Sequence, residues 1–332
     1  MKCAAVIKEI GRGKDGARSL DREQARALWS AVLAGEVSDL ELGAVLLAMR
    51  VKGESCDELA GFVDATHDAM LKLAAPTSDH CPVIIPSYNG ARNMPNLVPL
   101  LALMLAERGV PVLVHGLLDD PMAAARAAAN SRVGARVTTA AVFEALGVLP
   151  VTRSDEVNDA MQDAVRHRRP LFTPLATLTP ALDRILALRP ILGVRSSGHT
   201  ICKLLQPFEG RALRLSSYTH PEYYALLVEY FTRCGGEWML GRGNEGEAVA
   251  NPRRGQRLEW FDEGRVSMLV DGETVAPGEL PVLPESRDAA TTAVWIQSVL
   301  AGERPVPGPI ETQVGAIFHA LTARAGSALA AA

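Results

Sequence analysis

The residues best suited to chemistry lie in one short run, Gly241-Arg-Gly243-Asn-Glu245-Gly246-Glu247. Its glycines fit G-x-G-x-x-G, a string whose backbone amides can approach a phosphate with no Cβ in the way. The run follows a strand-like segment, Glu237 to Leu240, but leads into Ala-Val-Ala-Asn-Pro252 instead of a helix whose N-terminus would receive the phosphate. It therefore reads as a turn lining a pocket, not as a dinucleotide fingerprint. A second match, Gly11-Arg-Gly13-Lys-Asp-Gly16, has no βαβ unit after it and reads as a flexible loop. Glu245 and Glu247 suit a magnesium ion that would complete its shell with phosphate oxygens. An ion-pair cluster with Arg242, Arg253 and Arg254 accounts for the two carboxylates equally well.

Other chemistries are excluded by what the chain lacks. The seven histidines contain no H-E-x-x-H, and no serine sits in G-x-S-x-G. His199, in the polar stretch Arg195-Ser-Ser-Gly-His199-Thr200, reads as a loop residue. Five scattered cysteines form no C-x-x-C pair, so neither a disulfide framework nor a cysteine zinc site is expected, and a cytoplasmic location is. The net charge of −4 hides an asymmetry: between Pro121 and Leu215 there are thirteen Arg or Lys against seven Asp or Glu. Those cations include Arg126, Arg132, Arg136, Arg166, Arg168, Arg169, Arg195 and Lys203. Two readings stand: a set of solvated helix faces, with Arg166, Arg168 and Arg169 paired to Asp159 and Asp163, or an anion-binding region in an otherwise acidic protein.

These groups need elements to position them. Asp21 to Gly35, Ser38 to Gly53 and Ser55 to Leu73 carry apolar residues at three- and four-residue spacing, and Ser38/Glu41 and Ser55/Glu58 have capping-box spacing. After the linker Pro76 to Pro82, the pattern changes to strands (Val83 to Ile85, Val110 to Val114, Val148 to Val151) alternating with helices. Asp155 to Arg189 is helical again, Arg211 to Tyr218 a strand, Glu222 to Cys234 a helix, and the tail after Leu280 ends in two helices. The expected fold is α/β: a small all-helical domain, 1–75, completed by helices within about 155–195, on a larger α/β domain, 80–154 and 196–332, with a mainly parallel central sheet. A composition 48% hydrophobic with mean hydropathy near zero excludes a disordered chain. The apolar stretch Leu97 to Val114 is broken by Pro99, Glu107, Arg108 and Pro111, so no membrane partner is expected. Leu28, Trp29, Val32, Leu33, Leu42, Val45, Leu46 and Met49 exceed what three small helices can bury, which predicts a partner surface there.

The chain resembles the anthranilate phosphoribosyltransferase family, glycosyltransferase family three, over nearly its whole length. The carriers are Leu46 to Arg50 followed by Val51-Lys52-Gly53-Glu54 and Glu58-Leu-Ala-Gly61, His115-Gly116 after Val112-Leu-Val, Thr138-Thr139 running to Glu144-Ala-Leu-Gly147, and Leu188-Arg189 to Arg195. The resemblance implies a nucleoside phosphorylase/phosphoribosyltransferase-like fold and dimerisation through the helical part. It also implies that phosphoribosyl pyrophosphate would meet the loop after the first strand. There the family has Gly-Thr-Gly-Gly-Asp-Gly, and this chain has Ser87-Tyr88-Asn89-Gly90-Ala-Arg92-Asn-Met-Pro95-Asn96. The family's lysine and asparagine around His-Gly are Val114 and Leu117, and its Asp-Glu metal pair is Glu245-Gly-Glu247.

The altered loop is similar to that of the YbiB-like branch of the family, which implies nucleic-acid binding. The resemblance thus leaves a vestigial phosphate pocket of Ser87, Asn89, Gly90, Arg92, Asn96, His115, Gly116, Thr138, Thr139 and Arg189. It implies a non-sequence-specific DNA- or RNA-binding homodimer that contacts phosphates through the cations named above. No cofactor is required, though magnesium would accompany a phosphorylated ligand. The competing expectation is a glycosyl or phosphoribosyl transferase with a different acceptor.

Overall fold

Asp21 and Ser55 each close a reciprocal capping box, with Gln24 and Glu58 respectively, and so begin the two helices at the centre of the N-terminal lobe. The lobe comprises α1 (Ala4–Ile10), α2 (Arg22–Leu33), α3 (Asp39–Lys52) and α4 (Cys56–Ala69) in a computed structural model that describes residues 2–13, 15–128, 134–272 and 280–330, with side chains to 323. The expected box at Ser38 does not form. The Ser38 hydroxyl donates to the Glu41 carboxylate at 2.6 Å, whose other oxygen is drawn off by the Cys3 amide at 2.9 Å. Trp29 of α2 packs on Phe62 of α4 with ring centroids 4.9 Å apart, and its indole N–H donates to Thr66 Oγ1.

The α/β part follows as β1 (Val83–Ser87), α5 (Val98–Glu107), β2 (Val112–Gly116), α6 (Ala123–Ala128), α7 (Thr139–Ala145), α8 (Val157–Arg166), β3 (Leu171–Pro174), α9 (Leu175–Leu178), α10 (Pro180–Ala187), α11 (Arg189–Leu192) and α12 (Gly198–Ile201). The chain then continues through β4 (Leu213–Tyr218), α13 (Pro221–Cys234), β5 (Glu237–Arg242), β6 (Arg257–Asp262), β7 (Arg265–Asp271), α14 (Ala289–Leu300) and α15 (Gly308–Ala330). The sheet order is β3-β2-β1-β4-β5-β6-β7; the first five strands are parallel and the last two antiparallel. The expected strand at Val148 to Val151 joins no ladder. The third parallel strand is β3, inside a region read as helical; four residues between Pro170 and the helix start at Leu175 were too few to break the flanking periodicity.

Side chains alternate across the sheet as strand geometry requires. Val83 and Ile85 face a core formed with α5, α7, α14 and α15, whereas Ile84 faces α8 on the opposite side. Trp238 and Leu240 of β5 face a third core that runs without interruption into the helical lobe, through Leu182, Ile185 and Leu186 of α10, Ile201 of α12 and Phe231 of α13. Of the helices within 155–195, α10 therefore completes the lobe, while Val157 and Met161 of α8 pack beneath the sheet. This shared core also accounts for the apparent surplus of apolar residues. Leu28, Trp29, Val32, Leu33, Val45, Leu46 and Met49 are buried within the chain, and Leu42 is partly so. What stays exposed is a different stripe of α3: Leu40, Leu47 and Val51, at 86%, 50% and 73%. Among the described residues no helix is long and apolar enough to cross a membrane.

Gly61 sits where α4 crosses α2 so closely that a Cβ would lie 2.3 Å from the Arg22 carbonyl oxygen. Gly61→Ala should force the helices apart and lower unfolding free energy by about 1–3 kcal/mol. The midpoint of a urea titration checks it.

Candidate functional site

The carboxyl ends of parallel strands are where an α/β sheet leaves a crevice, and here that edge carries the loop after β1. Gly116, at the end of β2, is required beside it, since a Cβ would fall 1.9 Å from the Ser87 carbonyl oxygen. Ser87 Oγ meets Thr139 Oγ1 at 2.7 Å, and Asn96 Nδ2 donates to the same Thr139 oxygen at 3.0 Å and to Val137 O at 3.1 Å. Thr138 caps α7 through the Ala141 amide. Ser87, Asn96, His115, Thr138 and Thr139 are all buried. The Tyr88 hydroxyl is hydrogen-bonded to His115 Nδ1 at 2.5 Å, and complete burial pushes the His115 pKa down to about 3, so the imidazole is neutral.

The amides of this loop point at Glu245 and Glu247. Asn89 N and Gly90 N donate to Glu247 Oε1 at 2.7 and 2.6 Å. Arg92 N, Asn93 N and Met94 N donate to Glu245 Oε1 at 3.1, 2.7 and 2.9 Å. The carbonyl between the two glutamates, Gly246 O, accepts from Asn89 Nδ2, Lys203 Nζ and Ser217 Oγ. Arg136 donates to Gly90 O at 2.9 Å and lies 3.5 Å from Glu245 Oε2, and Arg195 donates to Asn89 Oδ1. One oxygen of each carboxylate expected on magnesium, Glu245 Oε1 and Glu247 Oε1, is thus committed to backbone amides. Among the described residues no cluster of three His, Cys, Asp or Glu stands where a metal could be held. The space left between Ser87, Gly90, Asp120, Thr138 and Arg189 is about 10 Å³, room for one water molecule.

The predicted cations fall into two groups. Arg92, Arg126, Arg136, Arg189, Arg195 and Lys203 surround the loop. Arg126 pairs with Asp120, which also accepts from the Arg136 amide. Arg189 is pushed down to about 10 by burial and then by Arg195, Arg126 and Arg136, the signature of cations crowded together. Arg166, Arg168 and Arg169 do not belong with them. They end α8 ahead of β3, and Arg168 donates to the Glu107 carbonyl ahead of β2, so they occupy the opposite edge of the sheet. Arg166 pairs with Asp163 on its own helix. Arg132 lies outside the described residues.

Beside the filled loop, at the same edge, is a cleft of about 130 Å³ lined by Arg50, Arg195, Lys203, His199, His220 and Tyr223. Among the described residues no carboxylate lines it. Arg50 comes from α3 and donates to the Tyr223 hydroxyl of α13 at 2.7 Å, so both lobes build the wall. Ser216 Oγ, also in the lining, is buried with no partner among the described residues. In the sequence, no binding motif holds Arg50, Ser216 or Tyr223. The available signal was Arg50 within Arg-Val-Lys-Gly, and nothing in the spacing of Ser216 or Tyr223 marked them.

Residues 4–70 match the helical bundle domain of the glycosyl transferase family. The Escherichia coli K12 protein named Uncharacterized protein YbiB is 42% identical over 93% of this chain and 91% of its own. The anthranilate phosphoribosyltransferase of Methylobacterium radiotolerans is 30% identical over 87% of this chain and 79% of its own. The crystal structure of anthranilate phosphoribosyltransferase from Thermus thermophilus superposes with a TM-score of 0.67 at 23% identity, covering 95% of this chain and 89% of that one.

Burial also predicts a pH dependence. His115 and His199 are held down to about 3 and His67 to about 4, burial being the first cause in each. The unfolded chain binds these protons near pH 6.5 and the folded chain does not, so stability is intact above that pH and declines as pH falls toward 4. In urea titrations at pH 7 and pH 5, His115→Asn should show a smaller loss between the two than the parent protein.

Proposed function

The chain belongs to the anthranilate phosphoribosyltransferase-like glycosyltransferase family, and from that membership we propose that it is a cytoplasmic protein binding nucleic-acid phosphates without sequence preference. The observation that carries this reading is the contrast between neighbouring sites. The loop that would cradle a pyrophosphate is filled by Glu245 and Glu247, while the adjoining cleft offers Arg50, Arg195 and Lys203 with no carboxylate among the described residues of its lining. Arginine and lysine donors suit phosphate oxygens, which determine position rather than sequence. Tyr218 and Tyr223 in the same wall give bases a face to lie on. No bound metal is part of the proposal. Sugar transfer, the competing reading, requires a loop vacated of its own carboxylates and more space than about 10 Å³.

Self-association belongs to the same proposal, with the contact at Leu40, Leu47 and Val51 of α3 instead of the residues the sequence pointed to. A dimer would present the cationic edge twice. Light scattering at micromolar concentration should give twice the chain mass, and Leu47→Glu with Val51→Glu should halve it.

Fluorescence polarisation with labelled oligonucleotides across a salt series tests binding directly. The logarithm of affinity should fall by about 0.9 for each duplex phosphate neutralised, or about 0.7 on single strands. Arg50→Ala with Arg195→Ala and Lys203→Ala should flatten that slope and weaken every sequence alike, with folding checked by circular dichroism. Arg166→Ala, Arg168→Ala and Arg169→Ala, at the far edge, should change it less. No salt-dependent binding by the parent protein, or loss confined to the far-edge variant, would refute the reading. In parallel, the chain should not restore growth to a tryptophan auxotroph that lacks anthranilate phosphoribosyltransferase.

A further inference from the structure

We infer that Lys203 is an imine-forming nucleophile, and that the cationic cleft brings a small phosphorylated aldehyde to it. The cleft is the one proposed for nucleic acid, but the inference needs no nucleic acid and stands or falls separately from that reading.

The six lysines of the chain divide by their surroundings. Lys2, Lys8 and Lys72 are exposed, Lys14 lies outside the described residues, and Lys52 pairs with Glu58 at 2.6 Å. Lys203 is half-buried, and its Nζ donates to a neutral acceptor, Gly246 O at 3.0 Å, with no carboxylate in ion-pair contact among the described residues. Withdrawal from water without a counter-charge disfavours the ammonium and raises the share of free amine, the reactive form of lysine. Burial pushes the Lys203 pKa down; Cys202 and Glu247 oppose it and Arg195 adds to it. The backbone beneath the amine is fixed, since Lys203 follows α12 between Cys202 and Leu204, both fully buried.

The rest of the cleft fits the other parts of such a compound. Arg50 and Arg195 stand in the same lining, donors for a phosphate that meets no carboxylate among the described residues there. Ser216 is 3% exposed and its Oγ has no partner among the described residues, an unmet hydrogen-bonding group that a ligand oxygen would satisfy. His199 Nδ1 accepts the Ser196 amide at 3.2 Å, which leaves the proton of this neutral ring on Nε2 as a further donor in the wall. The chemistry balances without another reagent. The Nζ lone pair attacks the carbonyl carbon, and a proton passes from nitrogen to the carbonyl oxygen. The hydroxyl so formed leaves with the second amine proton as water, and the C=N bond closes. Amine and aldehyde become imine and water, and hydrolysis reverses the step.

Pyridoxal 5′-phosphate, a phosphorylated aldehyde whose imine absorbs visible light, tests the idea on the full chain. Borohydride delivers hydride to the imine carbon and fixes the label, and peptide mass spectrometry places it. Lys203 should be labelled ahead of Lys2, Lys8, Lys14 and Lys72, and Lys203→Arg should lose the early rise in absorbance. Glyceraldehyde 3-phosphate should compete for Lys203 and inorganic phosphate should protect it. Pyridoxal, which lacks the phosphate, should label Lys203 more slowly, and Arg50→Ala should slow only the phosphorylated probe. A folded parent chain labelled at Lys203 no faster than at its exposed lysines overturns the inference. So does equal labelling of Lys203 by pyridoxal, which would leave an amine with no phosphate site beside it. Mapping on the parent protein decides even if Lys203→Arg does not fold. Imine formation in a chain that binds no oligonucleotide supports this inference against the nucleic-acid reading, and oligonucleotide binding without label at Lys203 rejects it.

Discussion

Backbone amides at the head of a parallel strand cannot be left without acceptors once they are buried. Five amides between Asn89 and Met94, two of them buried, follow β1, and the rest of the site is arranged around how they are satisfied. The acceptors come from the turn between β5 and β6, more than 150 residues later in the chain. That turn in turn fixes Lys203, Ser217 and Asn89 through a single carbonyl. Arg136 and Arg195 then meet the loop as hydrogen-bond donors, Arg136 beside the Glu245 carboxylate and Arg195 on the Asn89 side chain. The loop and the turn are thus packed on each other as internal structure.

The second constraint is the core beneath it. Trp238 stacks on Phe231 at 4.3 Å between ring centroids and carries the Arg214 guanidinium 3.6 Å above its ring. Those rings join the sheet to α13, and α13 joins α4. The helical lobe is thus completed by segments far from it in sequence.

Much of this was legible in the chain itself. Helices α2, α3, α4, α13 and α14 announce themselves by periodicity, and the Ser55/Glu58 box closes as its spacing requires. The departure of the loop from a glycine cradle can be read residue by residue. Where Glu245 and Glu247 point cannot, because their partners are backbone amides distant in sequence, and spacing records only local geometry. The basic excess between Pro121 and Leu215 is real as a count but divides in space, because α8 runs back along the sheet and delivers Arg166, Arg168 and Arg169 to the opposite edge. The apolar surplus of α2 and α3 reads as a partner surface in the sequence, but α4 packs on α2 and α1 on α3, in a core that continues through α10, α12 and α13, more than a hundred residues away.

Leu227, in the wall of the cationic cleft, belongs to the core shared by both lobes. Opening the cleft by swinging one lobe would expose that core to water, so its shape is set before anything arrives. A rigid mouth of one charge does not wait for closure. For the polyanion proposed here, long-range attraction would govern encounter, speeding arrival at low ionic strength, and the few donors in contact would govern residence. On the proposed reading, such a mouth suits fast exchange along a repeating polyanion, where each departure leaves an equivalent charge close by.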